Sequence, residues 1–315
     1  MTDITANTSP NELLQHIALE YIKERRRKRR WGIFYKILFL ALIIFGVWFV
    51  ASESSDEDIR EKPHVALIDI KGVMDDDSTS KADNIAESLS MAYRDKGTKA
   101  ILLRINSPGG SPVQADDIYR EIMRYRKLHP KIKVYAVCTD MCASAAYYAA
   151  SAANEIYANP ASIVGSIGVI YNGFGFNDLM KKVGVSRRLV TAGQYKGFMD
   201  PFSPEQPKEE KMLQKMLNIV HHQFENRVKK GRGDRLKITP NLFSGLFWTG
   251  TQAKKMGLID GFGSAGSVSR EVIKIKRIVD YTMTESSLDK FARQLGIGAT
   301  TTLLHAPEAT QRLSM

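Results

Sequence analysis

Two segments of this 315-residue chain carry the residue types that nucleophilic catalysis needs. The first is DMCASAAYYAAS (residues 140–151), where Ser144 sits among small side chains between an aliphatic run and a helical one. A nucleophile at a strand-to-helix corner must stand exposed while the backbone turns sharply around it, and small neighbours permit that turn. A serine there also serves as an ordinary helix N-cap, and the segment alone does not separate the two roles. The second segment is TAGQYKGFMD (residues 191–200), with Lys196 between Gly193 and Gly197 and beside Tyr195, Phe198 and Met199. A hydroxyl near neutral pH is a weak nucleophile unless a base lies within hydrogen-bond reach. A lysine amine can be that base once desolvation loosens its hold on the proton. Without such a serine, Lys196 would be one more surface charge. Histidine is the commoner base, but His16, His64, His129, His221, His222 and His305 all lie outside any glycine-rich or loop setting that resembles a site. The adjacent pair, His221 and His222, reads as a solvated helix face and not as a metal ligand set.

A third segment, INSPGGSP (residues 105–112), leaves an apolar run and enters a helical pattern. Gly109 and Gly110 let backbone N–H groups turn outward, as a cradle for an oxyanion or a phosphate requires. The same composition also makes a plain turn. The segment lacks the Walker lysine and the dinucleotide glycine spacing. Cys138 and Cys142 have no second Cys or His pair at zinc-finger spacing, so no structural metal is expected and buried thiols are the default. Nothing calls for a cofactor.

These segments need elements to position them. VALIDI (65–70), AILLRI (100–105) and VYAVC (134–138) are short aliphatic runs, with helical patterns over 82–94 and 113–128 between them. That alternation predicts a mostly parallel sheet with helices packed on it. EIYA (155–158), GVIYN (168–172) and RRLVTA (187–192) are further strand candidates. Over 204–230 the spacing of Leu213, Leu217, Val220, Phe224 and Val228 predicts an amphipathic helix.

The chain carries a formal charge of +11, but residues 1–51 hold 8 Lys/Arg against 4 Asp/Glu and the remainder is only mildly basic, which excludes a nucleic-acid stripe. WGIFYKILFLALIIFGVWFVA (31–51) is 21 residues with a single charge, Lys36, and is long enough to cross a hydrocarbon core of roughly 30 Å. No small-x-small cleavage site follows it, so an uncleaved anchor is expected. KERRRKRR (23–30) precedes it and the acidic ESSDEDIRE (53–61) follows, which by the positive-inside rule keeps the first thirty residues in the cytoplasm and exports the rest. The expected layout is a cytoplasmic basic tail over 1–30, a transmembrane anchor over 31–51, a flexible linker over 52–63, a catalytic domain over 64–280 and a loose tail over 281–315.

Together INSPGGS, ASAAYYAAS, NPASIVGSIGV and TAGQYKG resemble, in order and spacing, the bacterial signal peptide peptidase A family of Ser-Lys proteases, in its short single-domain form. The likeness extends through KGRG (230–233) and AKKMGLIDGFG (253–263) and covers roughly residues 64 to 270. It implies a crotonase-like or Clp-protease-like fold, here preceded by one N-terminal transmembrane helix. It also implies Ser144 as nucleophile, Lys196 as general base and Ser166 as the serine that orients the lysine. Gly110 and the N–H of Ala145 would form the oxyanion hole, with Gly109 supporting the loop. The implied substrates are apolar remnants of cleaved signal peptides, met at the lipid of the cytoplasmic membrane on its outer side. The implied assembly is a homo-oligomeric ring in which serine and lysine come from neighbouring subunits. Where the family commonly has Ser-Gly-Gly-Tyr-Tyr, this chain has Ser144-Ala145-Ala146-Tyr147-Tyr148. Alanine keeps the corner small but removes conformational freedom, so altered efficiency or specificity is expected. Two other readings of the fold are an acyl-CoA enzyme of the crotonase type and a non-catalytic membrane scaffold. The first needs neither Ser144 nor Lys196, and the second has no use for an intact Ser144, Ser166 and Lys196.

Overall fold

The computed structural model describes the backbone of residues 10–60 and 62–283. The chain divides into two compact units, Met1–Glu61 and Lys62–Met315. The first contains one helix, α1 (Pro10–Arg60). Among the described residues no helix is long and apolar enough to cross a membrane. The anchor expected over 31–51 runs past Gly46, the last described side chain of α1, so its final five residues lie outside that set. The linker expected over 52–63 is helical as far as Arg60. Its Ser, Asp and Glu residues include no proline before Pro63, so the backbone has no reason to break earlier. The expected tail, 281–315, lies outside the described residues beyond Met283.

In the second unit β1 (His64–Met74), β2 (Thr98–Gly110) and β3 (Lys133–Ala143) form the parallel centre of the sheet. Their aliphatic runs lack alternation because both faces are covered. Ala66, Ile68, Ile70, Ile101, Leu103 and Ile105 face the large core. Val65, Leu67, Ala100 and Leu102 face a smaller cluster on the other side. The helices α2 (Ala82–Arg94) and α3 (Pro112–Leu128) pack on the large face. Ser111 caps α3 by accepting from the Val113 N–H, and Pro112 takes the first helical position, where its missing donor costs nothing.

β3 divides its partners. Tyr135 to Cys138 pair with β4 (Glu155–Ala158), and Met141 to Ala143 pair with β5 (Ile163–Gly165). Between the halves the ladder with β2 shifts, so residues 139–141 bulge outward. The helix α4 (Ala145–Ala150) follows β3 directly. After α5 (Asn177–Lys182) comes the long α6 (Pro207–Arg232), which buries Phe224, Val228 and Arg232. The antiparallel β6 (Phe247–Thr249) forms an edge beside β5. The unit also contains α7 (Gly250–Lys255), β7 (Gly261–Phe262) on β4 and β8 (Ile278–Asp280) on β1.

Two expected strands are not formed. Residues 168–172 and 187–192 belong to no strand, and Ile170 and Val190 stand 86% and 94% exposed. Both segments have strand-like composition, but among the described residues neither pairs with any strand of the sheet.

Candidate active site

β1, β2 and β3 bring their carboxyl ends to one edge of the sheet, where ligands of open parallel sheets bind. Ser144 stands there, at the junction of β3 and α4, half-buried and with φ 54° and ψ −125°. A non-glycine residue in that region costs on the order of 1–3 kcal/mol and persists only where surroundings enforce it. Here the Ser144 N–H donates to the Gly165 carbonyl at 2.8 Å, and the Ser144 carbonyl accepts from Tyr148 N–H at 3.0 Å. The Gly109 backbone presses against the same corner: a Cβ there would lie 2.7 Å from Ser144 Cβ and 2.9 Å from Ala145 N. Only glycine permits this approach. Gly110 is packed as closely on the other side, since a Cβ would come within 2.2 Å of the Met74 carbonyl oxygen. The predicted loop and the predicted nucleophile are therefore in contact, and Ala145 carries a first-turn N–H that has no carbonyl partner within its own helix.

Ser166 is the next residue after the Gly165 that receives the Ser144 N–H. It too has positive φ, 51°, and its N–H donates to Leu246 at 2.8 Å. The following carbonyl, Ile167, accepts from Gly245 N–H at 3.1 Å and from His221 Nε2 at 3.2 Å. His221 is therefore a structural donor and not part of a purely solvated face; His222 beside it is exposed.

Among the described residues no hydrogen bond joins Lys196 to Ser144. The lysine side chain is exposed and, among the described residues, has no hydrogen-bond or ion-pair partner. Its loop is well tied nonetheless. The backbone turns through Lys196 N–H to Gly193, Phe198 N–H to Tyr195 and Asp200 N–H to Gly197, each at 3.1 Å. Arg187 Nε meets Asp200 at 3.0 Å, and Met199, with φ 54°, donates its N–H to Glu209 Oε2 at 3.0 Å.

The profile of peptidase family S49 matches residues 126–278, and that of Clp protease matches residues 65–164. Over residues 126–278 the chain is similar to peptidase family S49, whose members are serine-type peptidases. The putative signal peptide peptidase SppA of Enterococcus faecium is 29% identical over 278 residues, covering 82% of this chain and 80% of that protein. The putative protease SohB of Buchnera aphidicola is 28% identical over 264 residues, 81% of this chain and 71% of that protein. A protein named Na(+)/H(+) antiporter NhaA of Brucella abortus is 46% identical over 194 residues, but the match spans 60% of this chain and only 26% of that protein. The observed parallel sheet is that of the Clp-protease-like fold.

Around the Ser144 corner lies a polar network that the sequence does not announce. Asp116 on α3 accepts from Tyr148 Oη at 2.7 Å, from Arg227 Nε at 2.9 Å and from Arg120. Burial works against ionisation of Asp116, but the three donors outweigh it and hold the carboxyl below the usual carboxylate range. The Tyr148 hydroxyl is pushed up to about 12, by burial first and by Asp116 second. Deeper, Arg232 is 1% exposed and forks onto Asp260 at 2.8 and 2.9 Å. Cys138 and Cys142 are buried free thiols, and burial raises the Cys142 thiol well above its ordinary range. Among the described residues no group of three His, Cys, Asp or Glu could hold a metal ion.

Proposed function

We propose that this chain is a membrane-anchored serine peptidase with Ser144 as nucleophile and Lys196 as general base. The observation that carries the reading is the conformation of Ser144, strained at a strand-to-helix corner and backed by the glycine pair. In the proposed reaction neutral Lys196 removes the Ser144 Oγ proton as Oγ adds to a peptide carbonyl. The N–H groups of Gly110 and Ala145 hold the oxyanion; one such donor is worth about 3 kcal/mol in comparable enzymes. Collapse expels the amine, which takes the proton back from Lys196. A water, deprotonated by the same lysine, then releases the acyl group. Ser166 orients the amine.

The exposed Lys196, which has no side-chain partner among the described residues, supports a reading in which the lysine that serves Ser144 is supplied by a neighbouring copy in a ring. Exposed apolar side chains at Ile170, Phe174, Val183 and Val190, on segments with no ladder of their own, support such an assembly. The basic block 23–30, the apolar stretch 31–51 and the acidic 53–61 support an anchor in the cytoplasmic membrane with the catalytic unit outside. The substrates are apolar peptides such as signal peptide remnants, a reading supported by the name of the Enterococcus relative.

The test is cleavage of apolar peptides by the full-length protein in detergent. Cleavage that disappears in Ser144→Ala and in Lys196→Ala is the expected result. Equal cleavage by those variants, or turnover of acyl-CoA in place of peptide, contradicts the proposal.

A further inference from the structure

One helix touches the segments that carry Lys196, Ser166 and Ser144. At its first turn α6 meets the lysine loop through Glu209 and Met199, and Lys208 Nζ lies 5.2 Å from the Tyr195 ring centroid. Twelve residues on, His221 holds the carbonyl after Ser166. Gln223 then donates to Tyr148 Oη at 3.2 Å, on the helix that follows Ser144. Further along, Phe224, Val228 and Arg232 are buried in the body of the unit. The loop, though tied by its own turns and by Arg187 on Asp200, buries no side chain over residues 183–206. Residues 183–206 contain no strand, and the loop borders a cavity of about 590 Å³ whose wall includes Leu189, Gly197, Met199 and Glu209. Its geometry depends on Met199, which holds a left-handed conformation that glycine would take freely and methionine resists.

We propose that Glu209 is a positioning residue for the base: by accepting the Met199 N–H it fixes the loop that presents Lys196, at a distance from the core set by α6. This rests on the reading of Lys196 as the base. The carboxylate suits its place, because an acidic group in the first turn of a helix is stabilised by the unpaired N–H groups there. The bond is charge-assisted and holds a strained residue, so losing it frees the Met199 end of the loop without touching the nucleophile.

The experiment compares Glu209→Ala, Glu209→Gln and Lys196→Ala in the full-length protein, measuring kcat and KM on one apolar peptide. Glu209→Ala is expected to lower kcat roughly ten- to a hundredfold with KM little changed. Glu209→Gln, whose amide oxygen still accepts, is expected to restore most of it. A wild-type kcat in Glu209→Ala, a loss carried by KM, or no rescue by glutamine overturns the proposal. If Lys196→Ala is inactive while Glu209→Ala is fully active, the positioning role alone fails. If Lys196→Ala keeps full activity, the base reading fails and takes the positioning role with it. Amide exchange on the unmutated protein needs no variant: a protected Met199 N–H is expected, and exchange as fast as in an exposed loop contradicts it.

Discussion

Glu209 and His221 stand twelve residues apart on one helix, and each holds a different part of the proposed site: one the Met199 amide beyond Lys196, the other the Ile167 carbonyl beyond Ser166. At 1.5 Å per residue that separation is about 18 Å along the helix axis. The α6 helix therefore holds two parts of the proposed site a fixed distance apart, while the Lys196 side chain itself is exposed.

A subunit boundary has a genetic consequence. Co-expressing Ser144→Ala with Lys196→Ala is expected to restore activity that neither variant has alone. Random pairing of neighbours gives roughly a quarter of the sites both wild-type groups. A co-expressed mixture as dead as its components places serine and lysine in one chain.

The assembly itself is testable at the exposed apolar segments. Ile170→Asp and Val190→Asp leave the buried core untouched, since both side chains face solvent in the single chain. Each is expected to reduce the size of the detergent-solubilised particle in sedimentation or light scattering and to lower peptidase activity with it. Unchanged mass and activity would show that these side chains face no partner.

Gly110 is braced by Met74 so closely that any side chain must displace the β1–β2 pairing. Gly110→Ala is expected to lower kcat by about 10²–10³-fold, the value of one oxyanion donor, while Ser144 remains present. The check is kcat alongside circular dichroism. Near-normal kcat in a folded Gly110→Ala would remove this residue from the oxyanion hole.

Acid should act through Asp260. Burial opposes its charge, but the Arg232 guanidinium forked onto it prevails and depresses its pKa. A depressed carboxylate stabilises the fold fully above its unfolded value of about 3.9, and that contribution is lost as pH falls through the folded value. Asp260→Asn would strand Arg232, which is almost fully buried, at a cost of about 3–5 kcal/mol. Thermal melts should show a lower Tm for Asp260→Asn at pH 7 and a smaller difference from wild type below pH 4. Parallel melting curves at both pH values would argue against this origin of acid lability.

The central sheet was legible because doubly covered parallel strands leave uninterrupted aliphatic runs, as in VALIDI and AILLRI. The period of Leu213, Phe224 and Val228 marked α6, and the helical pattern over 113–128 marked α3. GVIYN and RRLVTA misled for a physical reason: strand composition records a local preference, and a strand forms only where the tertiary fold brings a partner alongside, which it does not do for these segments among the described residues. Ile163 to Gly165 form a strand too short for any period to reveal. At the site, small neighbours announced Ser144 and the glycine pair announced its support. Nothing in a sequence shows that Met199 adopts positive φ or that Glu209 reaches back to hold it. Asp116 was equally hidden, because the donors that let it be buried come from α3, α4 and α6.

The most direct measurement is the site of acylation. The full-length protein, treated with a slowly deacylating ester of an apolar peptide and digested, is expected to carry the acyl group on Ser144 in the wild type, with the adduct lost in Ser144→Ala and strongly reduced in Lys196→Ala. An adduct on another residue, or one that forms as fast without Lys196, would contradict the Ser144–Lys196 account.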